Sequence, residues 1–228
     1  PANASRYYKW NFVETWEYRS EHFSTYRLID DVLVPRTAEE FRFICYDSEP
    51  GTTFAIESTT RFVDDRVSNF RVHFIEPKSE KVSRRYSILI KQQVLTEEGY
   101  HYWETLKKST EQIGGLFDPL PSTIQGNIHC ISDPSRKAIG FFTASGVTEK
   151  RLFIDGGELP QSYPRFRLFG GCPVDTVFFE VGVSNGSSDN VIGPLSNMMA
   201  IIGYTFSSSE CVDCTQHGGV VTKPEFWE

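Results

Sequence analysis

The sequence predicts a mainly β protein: a β-sandwich or curled antiparallel sheet with one packed α-helix at about residues 96–113 and a disulfide-tied C-terminal tail, in a single domain spanning residues 1–228. Three observations lead there. Apolar residues alternate with period two in several short runs, the mark of half-buried strands. One segment alone carries helical spacing together with end signals. The chain closes on ECVDCTQHGGVVTKPEFW (210–227), where two cysteines three apart precede a histidine, a glycine pair and an aromatic end.

The first strand is YYKWNFVETWEY (7–18): Tyr8, Trp10, Phe12, Trp16 and Tyr18 share one face, and Lys9, Asn11, Thr15 and Glu17 fill most of the other. TFAIES (53–58) puts Phe54 and Ile56 together, and NFRVHF (69–74) puts Phe70, Val72 and Phe74 opposite Arg71 and a solvent-facing His73. RRYSILIKQQVL (84–95) aligns Tyr86, Ile88, Ile90 and Val94. GFFTAS (140–145), RLFID (151–155), DTVFFEVGV (175–183) and MAIIGYTF (199–206) are shorter or less regular strands, with Gly, Pro, Asn and Asp punctuating the gaps.

The helix runs through LTEEGYHYWETLKKSTEQIGG (95–115). Thr96 is placed to cap it, Glu97 and Glu98 face the positive end of its dipole, and Leu95 and Tyr100 have hydrophobic-staple spacing. Tyr100, Trp103, Leu106 and Ile113 form an apolar stripe that packs on a sheet, and Gly114 and Gly115 close the end. FDPLPS (117–122) reads as an extended turn and SNGSSDN (184–190) as a mobile polar loop. Residues 206–228 form a Cys/Gly tail that packs back on the domain.

Aromatic residues make up 14% of the chain, with 18 Phe, which suits a packed sheet interior or a sugar- or peptide-stacking surface. The net charge of −7 comes without a Lys/Arg stripe, which argues against nucleic acid as a partner. No apolar stretch reaches the length of a membrane-spanning helix. There is no GxSxG elbow, no HExxH and no calcium loop. The five histidines are scattered, and the carboxylate pairs Asp30/Asp31 and Asp64/Asp65 point to opposite faces of any strand that carries them.

Five cysteines, Cys45, Cys130, Cys172, Cys211 and Cys214, are all candidates for structural disulfides. One or two bridges with an odd thiol fit an oxidising compartment; five buried thiols would fit the cytosol. The tail itself admits three readings. As a zinc site, Cys211, Cys214 and His217 supply three ligands where a closed structural site needs four, and no spacing singles out Cys130, Cys172 or His129 as the fourth. As a redox pair, the cysteines lack a following helix to lower a thiol pKa. As staples, they would tie down a tail with little apolar alternation of its own, for about 2–4 kcal/mol per bridge. Two bridges can be drawn from five cysteines in roughly fifteen ways. The preferred arrangement has Cys211 and Cys214 each reaching outward, with Cys172 as one partner. No metal and no cofactor is expected.

YKWNFVETWEY, RRYSILIKQQVLTEEGYHYWETLKKSTEQIGGLFDPLPS, GNIHCISDP, AIGFFTAS, KRLFI and CVDCTQHGGVVTKPEFW together resemble the domain-of-unknown-function family 4249 of Bacteroidota surface lipoproteins, over roughly residues 7–175 and 204–227. The resemblance implies a lipid-anchored envelope protein of the outer-membrane surface, on its extracellular or periplasmic face, often encoded beside a TonB-dependent transporter for nutrient uptake. It implies that this chain is a C-terminal portion, without the signal peptide, the lipid-bearing cysteine and an N-terminal β domain. It carries over no catalytic residue. Its tail motif maps onto Cys211, Asp213, Cys214, Gly218, Gly219, Pro224, Phe226 and Trp227. The expected function is therefore a non-enzymatic envelope module, an accessory or ligand-binding partner of such a transporter, with a sugar or peptide as the small ligand. Two alternatives stand beside it. One is a metal-dependent or hydrolytic envelope enzyme whose pocket gathers His129, His217 and carboxylates; the other is a purely structural envelope protein.

Overall fold

A computed structural model describes residues 5–111, 124, 126–133, 135–136, 138–163 and 171–227. The strands, in chain order, are β1 (Tyr7–Arg19), β2 (Tyr26–Ile29), β3 (Val32–Pro35), β4 (Ile44–Pro50), β5 (Ala55–Ser58), β6 (Arg85–Leu95), β7 (Val147–Asp155), β8 (Asp175–Phe178), β9 (Val191–Ser196) and β10 (Ile201–Phe206). The helices are α1 (Glu97–Glu111) and the single turn α2 (Ser209–Val212). The protein is mainly β. A five-stranded sheet has the order β4-β1-β6-β7, with β5 also pairing β1; a three-stranded sheet has the order β8-β10-β9; β2 and β3 form a hairpin. The β1–β5, β10–β8, β10–β9 and β2–β3 pairs are antiparallel.

The chain divides into two compact units. Unit 1 comprises Pro1–Val13, Pro50–Phe74 and Leu89–Arg151; unit 2 comprises Glu14–Glu49, Ile75–Ile88 and Leu152–Glu228. Strand β1 has no solvent face in either. Lys9, Glu14 and Thr15 are buried along with Trp10, Phe12, Trp16 and Tyr18, because β1 lies inside its sheet and is covered on both sides.

In unit 1, the odd-numbered face of β1 lies under α1. Tyr7 meets Tyr100 at 5.1 Å between ring centroids, and the Lys9 ammonium sits 3.2 Å from the Trp103 ring centroid with Phe54 at 5.3 Å. Thr96 caps α1 by accepting the Gly99 N–H at 3.1 Å. The expected helix end at Ile113, Gly114 and Gly115, and the turn 117–122, lie outside the described residues. The even-numbered face of β1 is covered by residues 65–74. These were expected as a strand over 69–74 but have no strand geometry. Asn69 has a φ of 55°, and the segment lays rings on β1 instead of pairing its backbone: Phe70 meets Trp10 at 5.1 Å and His73 meets Phe12 at 4.2 Å. His73 is thus a packing residue and not solvent-facing. The segment 140–145 also lacks strand geometry; Gly140 has a φ of 134°, and Phe141 stacks on Tyr102 at 5.1 Å.

In unit 2, Leu28, Val191 and Tyr204 form a core cluster with Tyr26, Leu33, Val177, Phe179 and Phe206 against it. The β2–β3 hairpin turns at Asp30 and Asp31, both with positive φ (46° and 67°), a conformation aspartate tolerates better than most residues. The Asp31 carboxylate then accepts from the Ser184 hydroxyl at 2.7 Å, the Gly186 amide at 2.9 Å and the Asn185 amide. The polar loop read as mobile is therefore tied down. Those bonds, the one from Ser184 foremost, hold the Asp31 carboxyl below its usual pKa. The expected strand 175–183 shortens to β8, whose four residues are the ones that pair with β10.

Candidate binding site

The terminal cysteines are oxidised, and each reaches away from the other. Cys214 bonds Cys45 on β4, closing a sequence separation of 169, and Cys211 bonds Cys172 just before β8, closing a separation of 39. Both sulfurs are consumed, so Cys211, Cys214 and His217 cannot act as a zinc triad, and the tail is not a redox dithiol of the CxxC kind. Backbone and side chains reinforce the covalent links. The Cys214 amide donates to the Arg42 carbonyl at 2.9 Å, the His22 amide donates to the Cys211 carbonyl at 2.9 Å, and the His22 ring lies 3.1 Å from the Cys172 carbonyl.

The tail motif can be read residue by residue. Asp213 caps the 3₁₀ turn Cys214–His217, accepting from the Thr215 amide at 2.9 Å and its hydroxyl at 2.6 Å. Gly218 ends that turn at a φ of 94°, which favours glycine. Gly219 is required by proximity: a Cβ there would lie 2.3 Å from the Tyr18 hydroxyl. That hydroxyl donates to the Cys214 carbonyl at 3.0 Å and accepts from the Gly219 amide at 2.9 Å. Val220 pairs with Tyr46 of β4 through two backbone bonds at 2.8 and 2.9 Å, so the tail covers part of that strand's open edge. The Pro224 carbonyl accepts the Trp227 amide at 2.9 Å, and Trp227 is buried edge-on against Tyr46 and Phe153 while Phe226 remains more exposed.

A buried charge cluster sits beside this scaffold in unit 2. Glu14, 2% exposed, accepts from Lys81 Nζ at 2.8 Å and from the Tyr86 hydroxyl at 2.9 Å. Lys81 also pairs with Glu49 and lies over the Trp16 ring. Burial, then the hydrogen bond to Glu14, pushes the Tyr86 phenol far up.

The remaining sequence candidates are Cys130, His129 and His217. Cys130 is the unpaired cysteine. It belongs to unit 1, whereas the other four belong to unit 2 and pair among themselves. Its sulfur lies 3.4 Å from the Ser132 hydroxyl, which leads the interactions that lower its pKa. His129 belongs to unit 1 and His217 to unit 2. Among the described residues no group of three or more His, Cys, Asp or Glu side chains is arranged to hold a metal ion.

Two clefts are built from polar groups. In unit 2, Arg27, Arg36 and Arg42 line a cavity of about 390 Å³, but Arg27 is paired with Glu40 at 2.7 Å and Arg36 with Asp189 at 3.2 Å. Its charge is largely satisfied within the protein.

The other cleft, of about 440 Å³, lies in unit 1 between β1, β6 and the segment 65–72. Tyr8 and Trp10, two apart on β1, present one face, and Phe70 leans on Trp10. The Trp10 indole N–H donates to Gln92 Oε1 on β6 at 3.1 Å, which fixes the amide and leaves its N–H₂ without an acceptor among the described residues. The Asp65 carboxylate accepts from the Tyr8 hydroxyl at 2.7 Å and from the Thr59 hydroxyl. These bonds, Thr59 first, keep Asp65 ionised below its usual range, while burial and the Asp65 bond push Tyr8 up to about 12. Arg66 also lines the cleft, and no hydrogen bond or ion pair to its guanidinium is found among the described residues. Sequence reading missed this cleft. It assigned Phe70 to a strand and left the aromatic residues open between a packed interior and a stacking surface; the run Lys91–Gln92–Gln93, which breaks the apolar alternation of β6, was the visible signal.

No curated protein and no solved structure matches the chain. A family profile does. Residues 1–151, which carry the aromatic cleft and Cys45 but end before the stapled tail, match the family described as domain of unknown function (DUF4249), and the chain belongs to that family.

Proposed function

We propose that the protein is a non-enzymatic binding module of the cell envelope, held at the outer-membrane surface and working as an accessory or ligand-binding partner of a TonB-dependent nutrient transporter. The observation that carries this reading is the pair of disulfides fastening the tail. Structural disulfides persist in oxidising compartments such as the periplasm and the cell surface and are rare in the cytosol. The buried Cys45–Cys214 bridge closes most of the chain into one loop, a staple rather than an exposed redox switch. The tail residues that accompany the cysteines are capping, turn and packing groups, which supports a scaffold role over chemistry in the tail. No described helix is long and apolar enough to cross a membrane.

The test is affinity capture of the protein from detergent-solubilised outer membranes of its own cells. Recovery of a TonB-dependent transporter in comparable amount supports the proposal. Recovery of the protein from the cytosol with all five thiols free, or from membranes with no transporter attached, overturns it.

A further inference from the structure

We propose that the unit 1 cleft is a subsite for a neutral pyranose ring, stacked on Phe70 and Tyr8 and held at its hydroxyls by Gln92, Asp65 and Arg66. The proposal goes a step past the envelope reading: it shares the premise of a binding module and adds the class of ligand.

The floor of the cleft sets the mode of recognition. At Tyr8 and Trp10, β1 is already paired with β5, through Tyr8↔Glu57 and Trp10↔Ala55, and its other neighbour is β6. An extended peptide binds readily where a sheet edge offers unpaired backbone; here the ladder is occupied on both sides. A ligand must be read by side chains alone. The side chains on offer are aromatic rings with polar groups at their margin. Trp10 is 7% exposed and serves as a support, whereas Tyr8 and Phe70 are only half-buried and keep ring surface toward the cleft. The C–H face of a pyranose is apolar and the electron-rich face of an aromatic ring attracts it, while the sugar's edge carries hydroxyls.

Those hydroxyls each need a donor and an acceptor. Gln92 supplies an amide N–H₂ whose direction is set by the bond from Trp10 to its oxygen. Asp65 is pinned by two hydroxyl donors but retains free lone pairs as a carboxylate. Arg66 adds guanidinium donors. Asp65 and Arg66 both line the cleft, which selects for neutrality: an anionic ligand meets the carboxylate and a cationic one the guanidinium. The cleft volume lies within the range of small-ligand sites.

The experiment uses the purified chain with its disulfides intact, titrated with methyl glucoside, methyl galactoside, methyl mannoside and methyl N-acetylglucosaminide. Uncharged tripeptides and glucuronate serve as comparison ligands, and amide chemical shifts and tryptophan fluorescence are the readouts. At least one neutral glycoside is expected to bind and to shift the resonances of Trp10 and Gln92. Phe70→Ala and, as a second variant on an exposed side chain, Arg66→Met are each expected to weaken that binding about tenfold. No response to any glycoside, preferential binding of the tripeptides or of glucuronate, or affinity unchanged in both variants would overturn the proposal. Because the isolated chain is used, failure here leaves transporter capture untouched, and failure of capture leaves sugar binding measurable.

Discussion

The hydroxyl of Tyr18 accepts the amide proton of Gly219 at 2.9 Å while donating its own proton to the Cys214 carbonyl, so one phenol on β1 satisfies two buried backbone groups of the tail. Tyr18→Phe keeps the ring and removes both bonds. Orphaned buried backbone groups cost about 1–3 kcal/mol, and a loss of that size is expected in urea unfolding. Gly219→Ala is expected to destabilise as well, because its Cβ would press on the same hydroxyl. The two effects are therefore coupled: Gly219→Ala should cost less on the Tyr18→Phe background. Additive losses would mean that the contact does not govern the tail.

The two disulfides should differ in weight. In the chain-entropy picture, a bridge closing 169 residues contributes about 5 kcal/mol and one closing 39 about 4 kcal/mol, as upper bounds for nested loops. Cys45→Ala with Cys214→Ala is thus expected to lower stability more than Cys172→Ala with Cys211→Ala, and the buried setting of the first pair widens the gap by leaving a cavity. Chemical denaturation of the two double variants measures the order. A non-reducing peptide map of the native protein should return these two bridges and a free Cys130. Any bridge through Cys130 contradicts the fold described above.

What the sequence revealed depended on how far each pattern ran. Strands β1 and β6 and the start of α1 were legible because their periodicity persists for ten or more residues and, for α1, because Thr96 announces the cap. The shorter strands β5, β7, β8 and β10 were anticipated with different bounds, whereas β2, β3, β4 and β9 were not. The β2–β3 hairpin turns on Asp30–Asp31, which reads as a carboxylate pair and not as a turn until its backbone is seen. Strand β9 contains Gly193 and Pro194, residues that argue against a strand except at a sheet edge, which is where β9 lies. Residues 69–74 and 140–145 mislead in the opposite direction. Alternation describes which side chains share a face, but a strand also needs a backbone partner, and both segments spend their rings on covering a neighbour instead. The staple chemistry of the tail was readable from Cys and Gly spacing, yet the pairing was not, since spacing carries no information about which distant loop arrives beside which sulfur. The cleft was the least legible feature, because it depends on residues from three separated segments.

The Glu14–Lys81 pair is expected to show the asymmetry of buried ions. Removing the cation with Lys81→Met takes the charged donor away from a carboxylate whose side chain is 3% exposed and which also accepts from Tyr86. Losses of about 3–5 kcal/mol are typical of such a break. Replacing both, Glu14→Leu with Lys81→Met, avoids the stranded charge and should cost less than Lys81→Met alone. A double-variant cycle read by urea unfolding tests this, and a cost for Lys81→Met below about 1 kcal/mol would show that the pair is solvated like a surface bridge.

Lys9 offers the opposite case, a buried cation faced by aromatic rings with no carboxylate partner among the described residues. Burial lowers its pKa from 10.5 to about 8, and Trp103 at 3.2 Å and Phe54 at 5.3 Å are its companions. Between those two pKa values the unfolded chain holds the Lys9 proton and the folded chain has released it. Raising the pH across that window therefore favours the fold: the penalty for burying the ammonium is constant below about 8 and disappears toward 10.5. Tyrosines such as Tyr8, raised from 10.0 to about 12, act in the reverse sense above 10.0, and Cys130, lowered from 9.0, acts in the same sense as Lys9, so the interval runs from about 8 to 10.0 with Cys130→Ser as the common background of every profile compared. Unfolding free energy measured in urea should rise with pH over that interval with Lys9 in place. Lys9→Met keeps an apolar chain against Trp103 without the charge. It should flatten the rise and leave the protein at least as stable as its Lys9 parent at neutral pH, as expected when a desolvated charge is replaced by a well-packed apolar side chain. A parent profile that is flat or falling from about 8 to 10.0, or a slope that survives Lys9→Met, would mean that the ammonium is reached by water and that its cation–π contact with Trp103 is a surface one.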